Sequence, residues 1–216
     1  QGSSGLSEEE IEKMRKEDLK ELFTFLTGSI AYAEEFFGLK PGTAVRNVYL
    51  LYSVEENAYV QAHDAKTIVV RDALLKAPVC KEKVLQHEAV HAIDFTLGIA
   101  KHNAWTAHFS NSLSDNKEFL VAVNEEQCLA QEGGFGGHAQ DDEMEFLASF
   151  VNSLQHPQWE NWILHGYNGP GNSEEFRAWY RSTLKILQAA LRDKIPTRAP
   201  ILRSIQDKID FLTKTV

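Results

Sequence analysis

Residues 87–91 read His87-Glu88-Ala89-Val90-His91, and this pentapeptide constrains the chain more than any other feature. At this chain's own His and Glu frequencies, chance supplies roughly 0.03 matches to H-E-x-x-H. On a helix with His87 at 0°, His91 falls at about 40°, Asp94 at about −20° and Glu88 at about 100°. Leu85, Ala89, Val90, Ala92 and Ile93 fill the arc from about 140° to 300°. The segment therefore predicts a helix with one side buried in a core. Its other side is narrow and polar, carrying two imidazoles and carboxylates.

That polar side suits zinc. Two histidines one turn apart can aim their ring nitrogens at one ion about 2.0–2.1 Å away. Such an ion acidifies water and polarises a carbonyl. Glu88 sits beside the pair and fits a general base that later returns the proton to a leaving amine. Asp94 is placed to hold the N–H of a ligating histidine and so fix its tautomer.

The rest of the 216-residue chain fits an ordinary globular protein, with 43% hydrophobic and 25% charged residues. No apolar run approaches the roughly 18 residues of a membrane span. The net charge of −9 repels phosphate backbones, and the densest basic stretch, Lys13 to Lys20, is broken by Glu17 and Asp18. Neither nucleic acid nor membrane is expected as a partner. Two cysteines, Cys80 and Cys128, exclude a disulfide framework. No signal peptide is visible, and residues 1–5 resemble a cloning scar. Residues 6–216 read as one domain of α+β class. Ser7 and Glu10 open a long helix as a capping box, with an apolar stripe through Ile11, Met14, Leu19, Leu22, Phe23, Phe25 and Leu26, and the helix stops at Gly38 and Pro41. Strands are predicted at 48–52, 58–62 and 67–70, forming an antiparallel or mixed sheet. Helices are predicted at 80–99, 117–131, 140–155, 173–193 and 200–214. Residues 45–100 thus carry the sheet and the H-E-x-x-H helix, and 101–216 a helical lobe. Trp159, Trp162 and Trp179 read as packing residues of that lobe, as does the stripe Ile201, Ile205, Ile209 and Leu212.

With these residues in view, the helix resembles the active-site helix of zincin metallopeptidases. The strands before it, Thr67-Ile68-Val69-Val70 nearest, look like the zincin sheet, whose edge strand binds extended peptide. The resemblance covers about residues 45–155 and implies one zinc ion and hydrolysis of peptide bonds. Metzincins place a third histidine six residues after the second; Leu97 stands there, which disfavours that branch. Gluzincins take the third ligand, a glutamate, from a later helix. Glu145 fits: Glu145-Phe146-Leu147-Ala148 is similar to the ligand helix in the protease domain of anthrax lethal factor. Glu145, Ser149 and Asn152, with Asp142 nearby, form a narrow polar strip on an otherwise apolar helix, where a carboxylate is costly to bury unless paired or bound to metal. Glu125 and Glu126 compete for the same role. Glu126-Gln127-Cys128-Leu129 also resembles the cysteine motif of peptide deformylases, but it follows H-E-x-x-H here instead of preceding it.

The zincin resemblance also implies a donor for the oxyanion, for which Tyr167 and His165, in the turn 164–171, are the candidates. Tyr180 reads as a packing residue. His138 lies in a Gly-rich connector, and His63, His102, His108 and His156 have no assigned role. The expectation is a zinc-dependent endopeptidase, monomeric, acting on protein or peptide, of secreted or effector type. The alternatives are a zincin-like binding or scaffold domain without catalysis and, further off, a deformylase-like hydrolase.

Overall fold

The computed structural model describes residues 8–51, 58–61, 63–71, 81–125, 139–166 and 173–215. Among them, eight α-helices and a three-stranded mixed sheet make an α+β fold. The helices are α1 (Glu8–Phe36), α2 (Lys81–Leu97), α3 (Asn103–Asp115), α4 (Lys117–Glu125), α5 (Glu143–Leu154), α6 (Trp159–Asn161), α7 (Ser173–Leu191) and α8 (Pro200–Thr215). A π-helical turn, Trp162–Gly166, follows α6. No helix of the described residues is long and apolar enough to cross a membrane.

The strands are β1 (Asn47–Leu51), β2 (Ala58–Gln61) and β3 (Asp64–Arg71), in the order β1-β3-β2. β1 runs parallel to β3, from Asn47 opposite Thr67 to Leu51 opposite Arg71. β2 runs antiparallel to β3, with Ala58 opposite Val70 and Val60 opposite Ile68, and the register shifts between Val60 and Gln61. The strand nearest the H-E-x-x-H helix in sequence is thus the central strand, and its Thr67, Ile68, Val69 and Val70 are all buried. The outer strand that meets the helix's polar edge is β2.

α1 buries Leu26, Ile30 and Ala33, with Phe37 continuing the spacing of three and four just past its end, and packs against α2. Phe23, counted in the apolar stripe above, is exposed; the opening residue Ser7 lies outside the described residues. Gly38 ends the helix at φ 73°, and a Cβ there would lie 2.9 Å from the Ala199 Cβ, so both conformation and space require glycine. Glu34 is buried near the end of α1. Its carboxylate accepts the Gly42 N–H at 2.7 Å, the Ala44 N–H at 2.6 Å and the Val45 N–H at 3.2 Å. This clamp fixes the chain as it enters β1. Glu34→Ala leaves buried N–H groups without an acceptor and is expected to cost about 2–4 kcal/mol of stability. Urea unfolding of the variant beside wild type measures it; a loss under about 0.5 kcal/mol would contradict the clamp.

The lobe packs around aromatic rings. Trp105 stacks on Phe146 at 4.7 Å, and Phe150, Phe176, Trp179 and Tyr180 continue the cluster. Trp159, Trp162 and Trp179 are buried as expected, and the α8 stripe docks on α7. Tyr180 is fully buried among these rings, hydrogen-bonded to Ser153 and accepting from Trp159 Nε1, which gives it the predicted packing role. α3 was not expected from the sequence. Its Ser, Asn, Thr and His residues are poor helix formers; Trp105, Phe109 and Ser112, one face at helical spacing, hold it to the core.

His108 on α3 lies inside this cluster, stacked near Trp179. The Thr183 hydroxyl donates to the Trp179 carbonyl, so it accepts from the His108 Nε2–H at 2.7 Å. Burial pulls the imidazole down to about 4. The folded pKa lies below the unfolded value of about 6.5, so the unfolded chain binds more protons between these limits. Stability from this group is complete above pH 6.5 and falls as pH drops toward 4, by about 2–3 kcal/mol at pH 4.5. Urea midpoints at pH 7 and 4.5 should differ less in His108→Gln than in wild type; equal pH sensitivity would contradict the assignment.

Candidate metal centre

α2 places the site. Leu85, Ala89, Val90, Ala92 and Ile93 are buried, as the helical arc predicted, and the helix packs against α1, α5, β2 and β3. His87 and His91 therefore rise from its polar side, one turn apart. Their rings meet edge to face, with centroids 4.7 Å apart and Nε2 atoms 3.1 Å apart. The ligand atoms of His87, Glu88 and His91 lie within 4.8 Å of one another, a group able to hold a metal ion.

α5 supplies a second carboxylate. Asp142 caps this helix by accepting the Met144 N–H at 2.8 Å and the Glu145 N–H at 2.9 Å. Glu145 thus sits in the first turn, where the helix dipole favours an anion. From Phe146 to Leu154 every residue is buried. The polar strip faces α2, as its expense in an apolar setting requires: Asn152 donates to the Lys83 carbonyl at 3.1 Å, while Glu145 reaches both histidines. Running one helix up and the other down brings Glu145 level with residues 87–91.

Glu145 Oε2 lies 3.0 Å from His87 Nε2, and its Oε1 lies 3.2 Å from His91 Nε2. Burial alone would raise the Glu145 pKa, but hydrogen bonds from both imidazoles outweigh it and hold the carboxyl far below its ordinary range. Burial alone would also lower His91; the bond to Glu145 and the charges of Glu88, Glu145 and Asp142 outweigh this and raise it. Protons nevertheless serve this cluster poorly. With both Nε2 atoms donating to Glu145, no lone pair remains for the 3.1 Å contact between them. One cation at the centre would satisfy all three atoms. Tetrahedral zinc bonds of about 2.0–2.2 Å separate neighbouring ligand atoms by about 3.3–3.6 Å, so the observed spacing needs to open by only a few tenths of an ångström. The side chains of His87, His91 and Glu145 are 16%, 11% and 26% exposed, so solvent reaches the centre.

Glu88 points toward the sheet. Its Oε2 accepts the Val60 N–H of β2 at 3.1 Å. The sequence offered no sign of this contact, because a main-chain donor carries no residue signature.

Asp94 has a different neighbour from the one expected. It is buried and accepts the Ala100 N–H at 2.8 Å, with Ile99 also bonding to it. Burial raises its pKa, these bonds oppose the rise, and the charge of His91 is close enough to oppose it too. The carboxylate locks the turn after α2. His165 is exposed at the end of the π-helical turn and, among the described residues, makes no hydrogen bond to the cluster. Tyr167, Glu126, Cys128 and His138 lie outside the described residues; Glu125 ends α4. No family model matches the chain, and no curated protein or solved structure matches it either.

Proposed function

We propose that the protein is a zinc-dependent peptidase in which His87, His91 and Glu145 hold the metal and Glu88 is the general base. The observation that carries this reading is the convergence of His87 Nε2, His91 Nε2 and the Glu145 carboxylate at 3.0–3.2 Å beside a further carboxylate on the same helix. Two neutral imidazoles and a carboxylate suit zinc among the common metals, and three protein ligands leave a position open for chemistry. Zinc there supplies Lewis acidity to a carbonyl oxygen and to water. The chain's residues do the rest. Glu145 is held ionised by its partners and so is ready to ligate without losing a proton. Glu88, beside the two histidines and bonded to β2 through the Val60 N–H, would take a proton from the attacking water and return it to the leaving amine.

Digestion of a peptide library, read by mass spectrometry, tests the reading. Cleavage by zinc-loaded protein, lost on chelation and restored by zinc, is expected. Protein that carries zinc and cleaves no peptide would contradict it.

A further inference from the structure

Glu88 has a long side chain and is only half-buried, so its backbone alone does not aim its carboxylate. The Val60 N–H does. Val60 lies opposite Ile68 on β2, an outer strand, and its N–H is given to Glu88 Oε2 instead of to the ladder. Outer-strand N–H groups need a partner, and this one has a carboxylate from the neighbouring helix. The donor belongs to the last regular pair of the β2–β3 ladder, Val60 opposite Ile68, just before the register shift at Gln61, and its acceptor is a carboxylate, which strengthens the bond.

We propose that the Val60 main-chain N–H is a positioning group that ties the general base to the sheet, so that β2 orients Glu88 for proton transfer. The inference rests on the peptidase reading of Glu88. It also distinguishes two uses of the same N–H. A donor that orients Glu88 acts on the chemical step, whereas a donor that pairs with substrate main chain acts on binding.

Two measurements on the full chain test it. The first is the Val60 amide proton shift in wild type and Glu88→Ala, with and without zinc. A change centred on Val60 is expected, and an unchanged amide overturns the proposal. The second is steady-state kinetics of Val60→Pro, a change an outer strand tolerates where the N–H faces away from its neighbour. Should that variant not fold, valine's α-hydroxy analogue at position 60 replaces the N–H with oxygen alone. A kcat lower by about 10–100-fold, with KM and zinc content unchanged, is expected. An unchanged kcat overturns the proposal, as does a raised KM with kcat intact. A wild type that binds zinc but cleaves nothing, while its Val60 amide still responds to Glu88→Ala, overturns the peptidase reading and removes the positioning role with it.

Discussion

Glu88→Gln is expected to keep its zinc and lose about 10²–10⁴-fold in turnover. Glutamine preserves the size of the side chain, and its amide oxygen can still accept the Val60 N–H seen at 3.1 Å. It does not touch the three atoms that converge at the centre. What it removes is a group able to accept a proton from water and hand it on. The loss should therefore fall on kcat, with KM and metal content near wild type. Assays of zinc-loaded protein at matched metal content check it. A variant that turns over within a few-fold of wild type would remove Glu88 from the chemistry.

Glu145→Ala is expected to weaken zinc binding by more than the roughly 10–100-fold typical of an outer partner, since the proposed site makes it a direct ligand. The carboxylate is the only anion bonded to both His87 and His91 among the described residues, at 3.0 and 3.2 Å. Without it two neutral imidazoles remain, and two ligands hold zinc poorly. The folded state should survive, because Asp142 caps α5 through main-chain N–H groups that the substitution leaves in place. Competition with a chelating indicator measures the affinity. Wild-type affinity in Glu145→Ala would move the third ligand elsewhere, to Glu88 or to residues outside those described.

Much of this centre is legible in the sequence because it is built on two helices. Periodicity places His87, His91 and Glu88 on α2 and a polar strip on α5, and the cost of burying Glu145 predicts that the strip faces a partner. What periodicity does not carry is pairing between distant segments. The sheet order, with β3 central and β2 outside, depends on which strands meet, and so does the Val60 contact to Glu88. Glu34 hides for a similar reason: its three partners are main-chain N–H groups of residues 42–45, beyond the end of its helix. Asp94 shows the limit of a helical wheel. It lies on the histidine side by angle, yet near the end of α2, where the following turn claims it. α3 escaped because packing overrides weak local propensity there.

The proposed zinc site of His87, His91 and Glu145 makes metal content depend on each of these side chains. Elemental mass spectrometry of zinc-reconstituted, dialysed wild type beside His91→Ala tests it most directly. About one zinc per chain in wild type, lost in the variant, is the predicted result. Wild type that retains no zinc, or a His91→Ala protein that retains as much, would contradict it.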